Sequence, residues 1–139
     1  MQEFFSDKTA KVYYDKELDA IFLEYLDKVP NDEQFLLINK ELLKAFLSLR
    51  TQKFVVDARK MGIIGINSQK WVIDTLLPTM IKHLGGRTLF HAQLLDSAEI
   101  LSKISATNIQ KKAKENPKGF EIVQFTDATK MKAFVKEWK

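Results

Sequence analysis

Lys53-Phe-Val-Val-Asp-Ala-Arg-Lys-Met-Gly-Ile-Ile-Gly-Ile-Asn-Ser-Gln-Lys-Trp71 is the stretch that decides the fold. It opens as a short, apolar, β-branched run up to Asp57, the pattern of a central strand buried on both faces. A loop carrying Gly62 and Gly65 comes next. A helix then opens at Asn67-Ser68, where either side chain can accept from free backbone N–H groups of the first turn. Strand, loop and helix start, in that order, form the part of an α/β protein where ligands and partners dock.

On the N-terminal side, Lys11–Asp15 and Leu18–Tyr25 are rich in strand formers, with Asp15-Lys16-Glu17 between them, which predicts an antiparallel hairpin. Val29-Pro30-Asn31-Asp32-Glu33 breaks the pattern, and Asn31 or Asp32 can cap a helix there. From Glu33 to Arg50, Phe35, Ile38, Leu42, Phe46 and Leu49 recur every three or four residues, so one face of this helix lies on a sheet. On the C-terminal side a second helix spans Asn67 to Leu84. Pro78 removes a backbone donor inside it, which predicts a kink or break near Thr75. Gly85-Gly86 ends that helix, and Arg87–Ala92 is the next strand. Two short helices are expected at 97–103 and 107–114, then a strand at Phe120–Phe125. Asp127 caps a last helix whose Met131, Phe134, Val135 and Trp138 form one stripe. This order implies a single α/β domain: a mixed sheet of about five strands that starts with an antiparallel hairpin, with helices packed on it. Residues 1–9 read as an N-terminal segment and 10–139 as the domain.

Hydrophobic residues make up 45% of the 139, with ten Phe and two Trp, enough for a core without disulfide or metal. There is no Cys, which excludes thiolate chemistry and cysteine-based metal sites. The net charge of +4 is mild. The densest cluster, Lys111, Lys112, Lys114 and Lys118, reads as a solvated face, so no nucleic-acid partner is expected. No apolar run approaches the roughly 20 residues that cross a bilayer, and no secretory signal is apparent. The expectation is a cytoplasmic protein with no membrane span.

Several stretches together resemble the SpoIIAA-like family of STAS-type domains. They are the opening hairpin, the strand ending in Val56-Asp57-Ala58-Arg59-Lys60-Met61-Gly62, and Gln69-Lys70-Trp71 just inside the next helix. A strand after Gly86, and Phe125-Thr126-Asp127 leading to a helix that ends near Trp138, complete the likeness over about residues 10–138. The resemblance implies a STAS-like fold and a module related to bacterial anti-sigma factor antagonists. In that branch a Ser at the start of the helix after the central strand is phosphorylated, typically within Asp-Ser-Ser-Gly. Here Asn67-Ser68-Gln69-Lys70 stands in that place, so Ser68 is the one matching hydroxyl.

Ser68 can therefore be a phosphoacceptor, since a helix start favours an anion, or it can simply cap the helix; the cap is the preferred reading. Asp57 and Arg59, at the end of the central strand, can pair with each other or hold a polar ligand. Acid–base work would need a second carboxylate, and Asp74, the nearby candidate, is not placed opposite Asp57 by its spacing. His83 and His91 lie on either side of the Gly-Gly break and form no zinc signature; His91 belongs to an alternating strand and can face the sheet surface. Met61-Gly-Ile-Ile-Gly-Ile66 sets four large apolar residues around two glycines. They fold over the core, or they meet a partner, a second subunit or an apolar ligand.

No catalytic residue, metal or cofactor is assigned. The leading reading is a non-enzymatic binding or regulatory module that acts by protein–protein contact, as a homo-oligomer. Its binding residues would be Asp57, Arg59, Met61, Ile63, Ile64 and Ile66. The alternative is a small-molecule binder, of lipid or another apolar ligand, since similar folds include lipid carriers. A third is an enzyme using Asp57 and Arg59. The first needs a displayed apolar patch. The second needs a cavity of roughly 300–1,000 Å³ under the Met61–Ile66 loop. The third needs Asp57 within reach of a second functional group in a cleft.

Overall fold

The computed structural model describes residues 1–96 and 119–138. A mixed six-stranded sheet organises them, in the spatial order β1 (Gln2–Ser6), β2 (Ala10–Asp15), β3 (Ala20–Tyr25), β4 (Lys53–Asp57), β5 (Leu89–Leu94) and β6 (Phe120–Phe125). The first three strands form an antiparallel meander, and β3 to β6 run parallel. The expected mixed sheet and hairpin are present, with one strand more than expected. That strand is β1, in which the register shifts between Glu3 and Phe5 while Phe4 and Phe5 both pack on the core. Such a bulge removes the strict alternation by which a strand is read from sequence. β3 begins at Ala20 rather than Leu18 because the turn before it is longer. Asp19 adopts a positive φ of 52°, and Asp15 Oδ1 accepts the Leu18 N–H at 3.2 Å.

The first crossover is α1 (Asp32–Leu47). The second is a composite of α2 (Ile66–Trp71), a π turn (Val72–Leu76) and α3 (Leu77–His83). The chain steps in one direction from β3 to β5, so right-handed crossovers put these helices on one face of the sheet. There Ile38, Phe46, Leu76 and Met80 pack against Ile21, Leu23 and Phe54. The other face is covered by α4 (Ala128–Glu137), whose Met131 and Val135, with Trp138 just beyond, meet Phe22, Val55 and Ala92. Asn31 caps α1 by accepting from Gln34 N–H at 2.8 Å, and Asp127 caps α4 by accepting from Thr129 N–H at 2.8 Å. The irregularity expected near Thr75 is a π turn. Leu77 N–H reaches back five residues to the Val72 carbonyl, and Pro78, which has no N–H to give, sits in the first turn of the α-helix beyond it. Gly85 and Gly86, at φ 57° and 99°, then turn the chain out of the helix.

The helices expected at 97–103 and 107–114, and the cluster Lys111, Lys112, Lys114 and Lys118, lie outside the described residues. Among the described residues, no helix is long and apolar enough to cross a membrane.

Candidate functional site

Because β3 and β4 are parallel, the segments leaving them emerge at the same end of the sheet. Val29 N–H bonds to the Met61 carbonyl at 3.1 Å and ties the two segments together. Between them lies a crevice of about 290 Å³, walled by Val29 to Asp32 and Phe35 on one side and by Ile63, Ile64, Gly65 and Ser68 on the other. Behind it, between α1, the π turn and the sheet, is a smaller cavity of about 50 Å³. Phe35 and Ile64 belong to both linings.

The Met61–Ile66 loop divides its apolar residues. Met61 and Ile64 point into the core, at 5% and 4% exposure. Ile63 and Ile66 point out, at 58% and 79%. Gly62 permits the turn between them with a φ of 76°. The helix start expected at Asn67-Ser68 requires correction. The N-cap of α2 is Gly65, with no side-chain cap, and Ser68 is already in the first turn. Placed there, Ser68 faces inward and is 1% exposed, and its hydroxyl donates to Asp32 Oδ1 at the start of α1. Its oxygen is thus neither a cap nor open to a phosphate donor. Asp32 is the residue that sequence reasoning missed here, since only the tertiary fold brings the two helix starts together.

Asp57 and Arg59 do pair. Arg59 Nε donates to Oδ1 at 2.9 Å and Nη2 to Oδ2 at 2.7 Å, while the Arg59 backbone N–H donates to Oδ1 at 3.2 Å. This fork holds the loop after β4, and the hydrogen-bonded carboxylate pushes the guanidinium pKa further up. Neither residue lines the crevice or the cavity. A second carboxylate does stand beside Asp57, but it is Glu24, its register neighbour on β3, not Asp74, which is exposed on the π turn. Glu24 accepts from the Tyr13 hydroxyl at 3.3 Å and faces Lys11 at 3.8 Å.

No family model, no curated protein and no solved structure matches this chain.

The floor of the inner cavity is polar. His91 faces it from β5, buried rather than on the sheet surface, and stacks on Phe54 at a ring separation of 4.4 Å. Its Nδ1 lies 3.0 Å from the Phe54 carbonyl, which can only accept, so Nδ1 carries the proton and Nε2 is the acceptor. Gln93 Nε2 donates to that Nε2 at 3.4 Å, and Gln93 Oε1 accepts from Gln124 Nε2 at 3.0 Å. Burial lowers the His91 pKa to about 4, so the ring is neutral. Across the cavity, Asn39 Nδ2 donates to the Tyr25 hydroxyl at 3.1 Å and to the Phe35 carbonyl at 2.9 Å. Burial raises the Tyr25 pKa. His83 is structural: its Nε2 meets the Leu49 carbonyl at 3.0 Å and its ring stands edge-on to Phe46. Among the described residues, no group of three His, Asp or Glu is placed to hold a metal ion.

Proposed function

We propose that this protein is a non-enzymatic cytoplasmic binding or regulatory module of the SpoIIAA-like, STAS-type kind, which works by protein–protein contact at the Met61–Ile66 loop. The observation that carries the reading is the division within that loop. Met61 and Ile64 are anchored in the core, while Ile63 and Ile66 stand exposed on a frame that the Val29–Met61 hydrogen bond holds in place. Apolar side chains on a pre-ordered loop lose little entropy when a partner covers them. The crevice beside them would receive a side chain of the partner, in the manner of an interface hot spot. The mixed sheet with its leading hairpin agrees with what the resemblance implies.

The test is self-association and partner capture by the wild type against Ile63→Ser with Ile66→Ser. Each isoleucine, once covered, contributes about 1.5 kcal/mol or more, so the double variant should bind at least ~100-fold more weakly. Its melting temperature should stay close to wild type, because neither side chain is in the core. A double variant that keeps the wild-type subunit count and partner in native mass spectrometry would remove the reading.

The crevice supports a second reading, a small-molecule binder, because its volume is at the lower end of ligand pockets. An enzyme using Asp57 and Arg59 draws no support from the geometry, as both are joined in their own fork and neither lines the crevice or the cavity.

A further inference from the structure

We infer that the crevice and the cavity behind it are two compartments of one ligand site, which takes an uncharged, compact molecule with an apolar body and a single acceptor oxygen, with Ile64 as the movable partition. The inference rests on the small-molecule reading and goes beyond it by assigning the ligand's chemistry and the residue that recognises it.

The partition is one side chain thick, since Ile64 and Phe35 line both spaces. Phe35 is fixed on a helix. Ile64 is carried by a loop with glycines on either side of the Ile63-Ile64 pair, and a rotamer change there joins the two volumes. The inner space, at about 50 Å³, holds a water or one oxygen-bearing head but no ligand body. Four buried polar residues line it: Tyr25, Asn39, His91 and Gln93. Most of their capacity is committed. His91 gives its proton to the Phe54 carbonyl and receives one from Gln93, whose oxygen serves Gln124. Tyr25 differs. Its oxygen accepts from Asn39, and among the described residues no acceptor takes its hydroxyl proton. That proton is a donor open to a ligand, and it selects an acceptor oxygen, such as that of a ketone, an amide or an ether.

Charge excludes other ligands. Among the described residues, Asp32 is the carboxylate of the crevice, already engaged by Ser68, and no Lys or Arg lines either space. The inner compartment holds its Tyr and His neutral, so a carboxylate or ammonium there would be buried without a counter-charge.

The test is methyl-detected NMR titration of the full chain with acetophenone, its oxygen-free analogue ethylbenzene, and benzoate. Acetophenone should shift the Ile64, Val72 and Leu76 methyl signals saturably, and benzoate should not. Tyr25→Phe keeps the ring and removes the donor; it should weaken acetophenone about tenfold and leave ethylbenzene unchanged. Ile64→Ala should bind acetophenone at least threefold more tightly, with Ile64→Val as the milder variant if the first unfolds. Saturable shifts confined to Val29 and Ile63 would reject the inner compartment while leaving the small-molecule reading intact. Equal binding of benzoate, or no effect of Tyr25→Phe, would overturn the assigned chemistry. No saturable shift with any probe would end both.

Discussion

At Gly65 the missing side chain matters for contact rather than for backbone conformation. Its φ of −69° is open to any residue, yet a Cβ there would stand 2.8 Å from Asp32 Oδ1. Asp32 cannot retreat freely, because Oδ1 also receives the Ser68 hydroxyl. Gly65→Ala should therefore cost about 1–3 kcal/mol in urea unfolding. In an Asp32→Ala background the same change should cost clearly less, since the colliding carboxylate is gone; equal costs in both backgrounds would place the strain elsewhere. Ser68 is the complementary case. Read as a cap, the position should accept Asp, which also caps well. In the fold, Ser68→Asp sets a second carboxylate against Asp32 in a buried place, and should lose about 3 kcal/mol or more, where Ser68→Ala loses about 1 kcal/mol. A Ser68→Asp variant as stable as wild type would show that this contact does not govern the site.

Among the elements, α4 makes the most testable claim, because a ten-residue helix near the end of the described chain covers the second face of the sheet. Trp138 closes it, packing on Phe90 at 4.8 Å and on Phe134 at 5.0 Å, with its indole N–H donating to Glu121 Oε2 at 3.2 Å. Trp138→Ala should cost about 3–5 kcal/mol, and Phe134→Ala, at a half-exposed ring, distinctly less. A loss below about 1 kcal/mol for Trp138→Ala in urea titration would mean that the end of α4 frays free of the sheet. This helix was legible because Met131, Val135 and Trp138 repeat with the helical period and Asp127 marks its start. β4 was legible because its run is continuous and β-branched. Three features were not legible, each for a physical reason. β1 hides behind its bulge. Pro78 announces an irregularity but not that a π turn will absorb it. The start of α2 is set by Gly65 and by Asp32, 36 residues away from Ser68, so local capping residues misplace it by two positions. The same limit holds for the candidate site. Its loop could be read, but which isoleucines turn outward depends on packing, and the cavity is lined from α1, the π turn and three strands that no local pattern brings together.

The whole molecule divides its chemistry between the two sides of one sheet. The face under α4 is packed with apolar side chains and carries the Asp57–Arg59 fork at the strand ends, whereas the face under α1 and the π turn buries a chain of polar groups from Gln124 through Gln93 and His91 to the Phe54 carbonyl. That buried chain couples global stability to pH. Among the described residues His91 meets Phe54, Phe120 and Gln93, all uncharged, so none of these three offsets a positive ring. Its pKa is lowered from 6.5 to about 4, chiefly by burial. Between those values the unfolded chain binds the proton and the folded chain does not, so acid favours unfolding. The contribution is present in full above about pH 6.5, is lost as pH falls toward 4, and changes no further once the folded form also protonates. The slope is at most about 1.4 kcal/mol per pH unit. His91→Phe keeps the stack on Phe54 and removes the titration. Unfolding free energies of the two proteins, measured from neutral pH down to about pH 4.5, should therefore converge or cross as the wild type loses its share. If the two curves instead fall in parallel, the acid sensitivity belongs to the carboxylates, and the polar chain beneath the cavity serves to fix strand register rather than to link stability to pH.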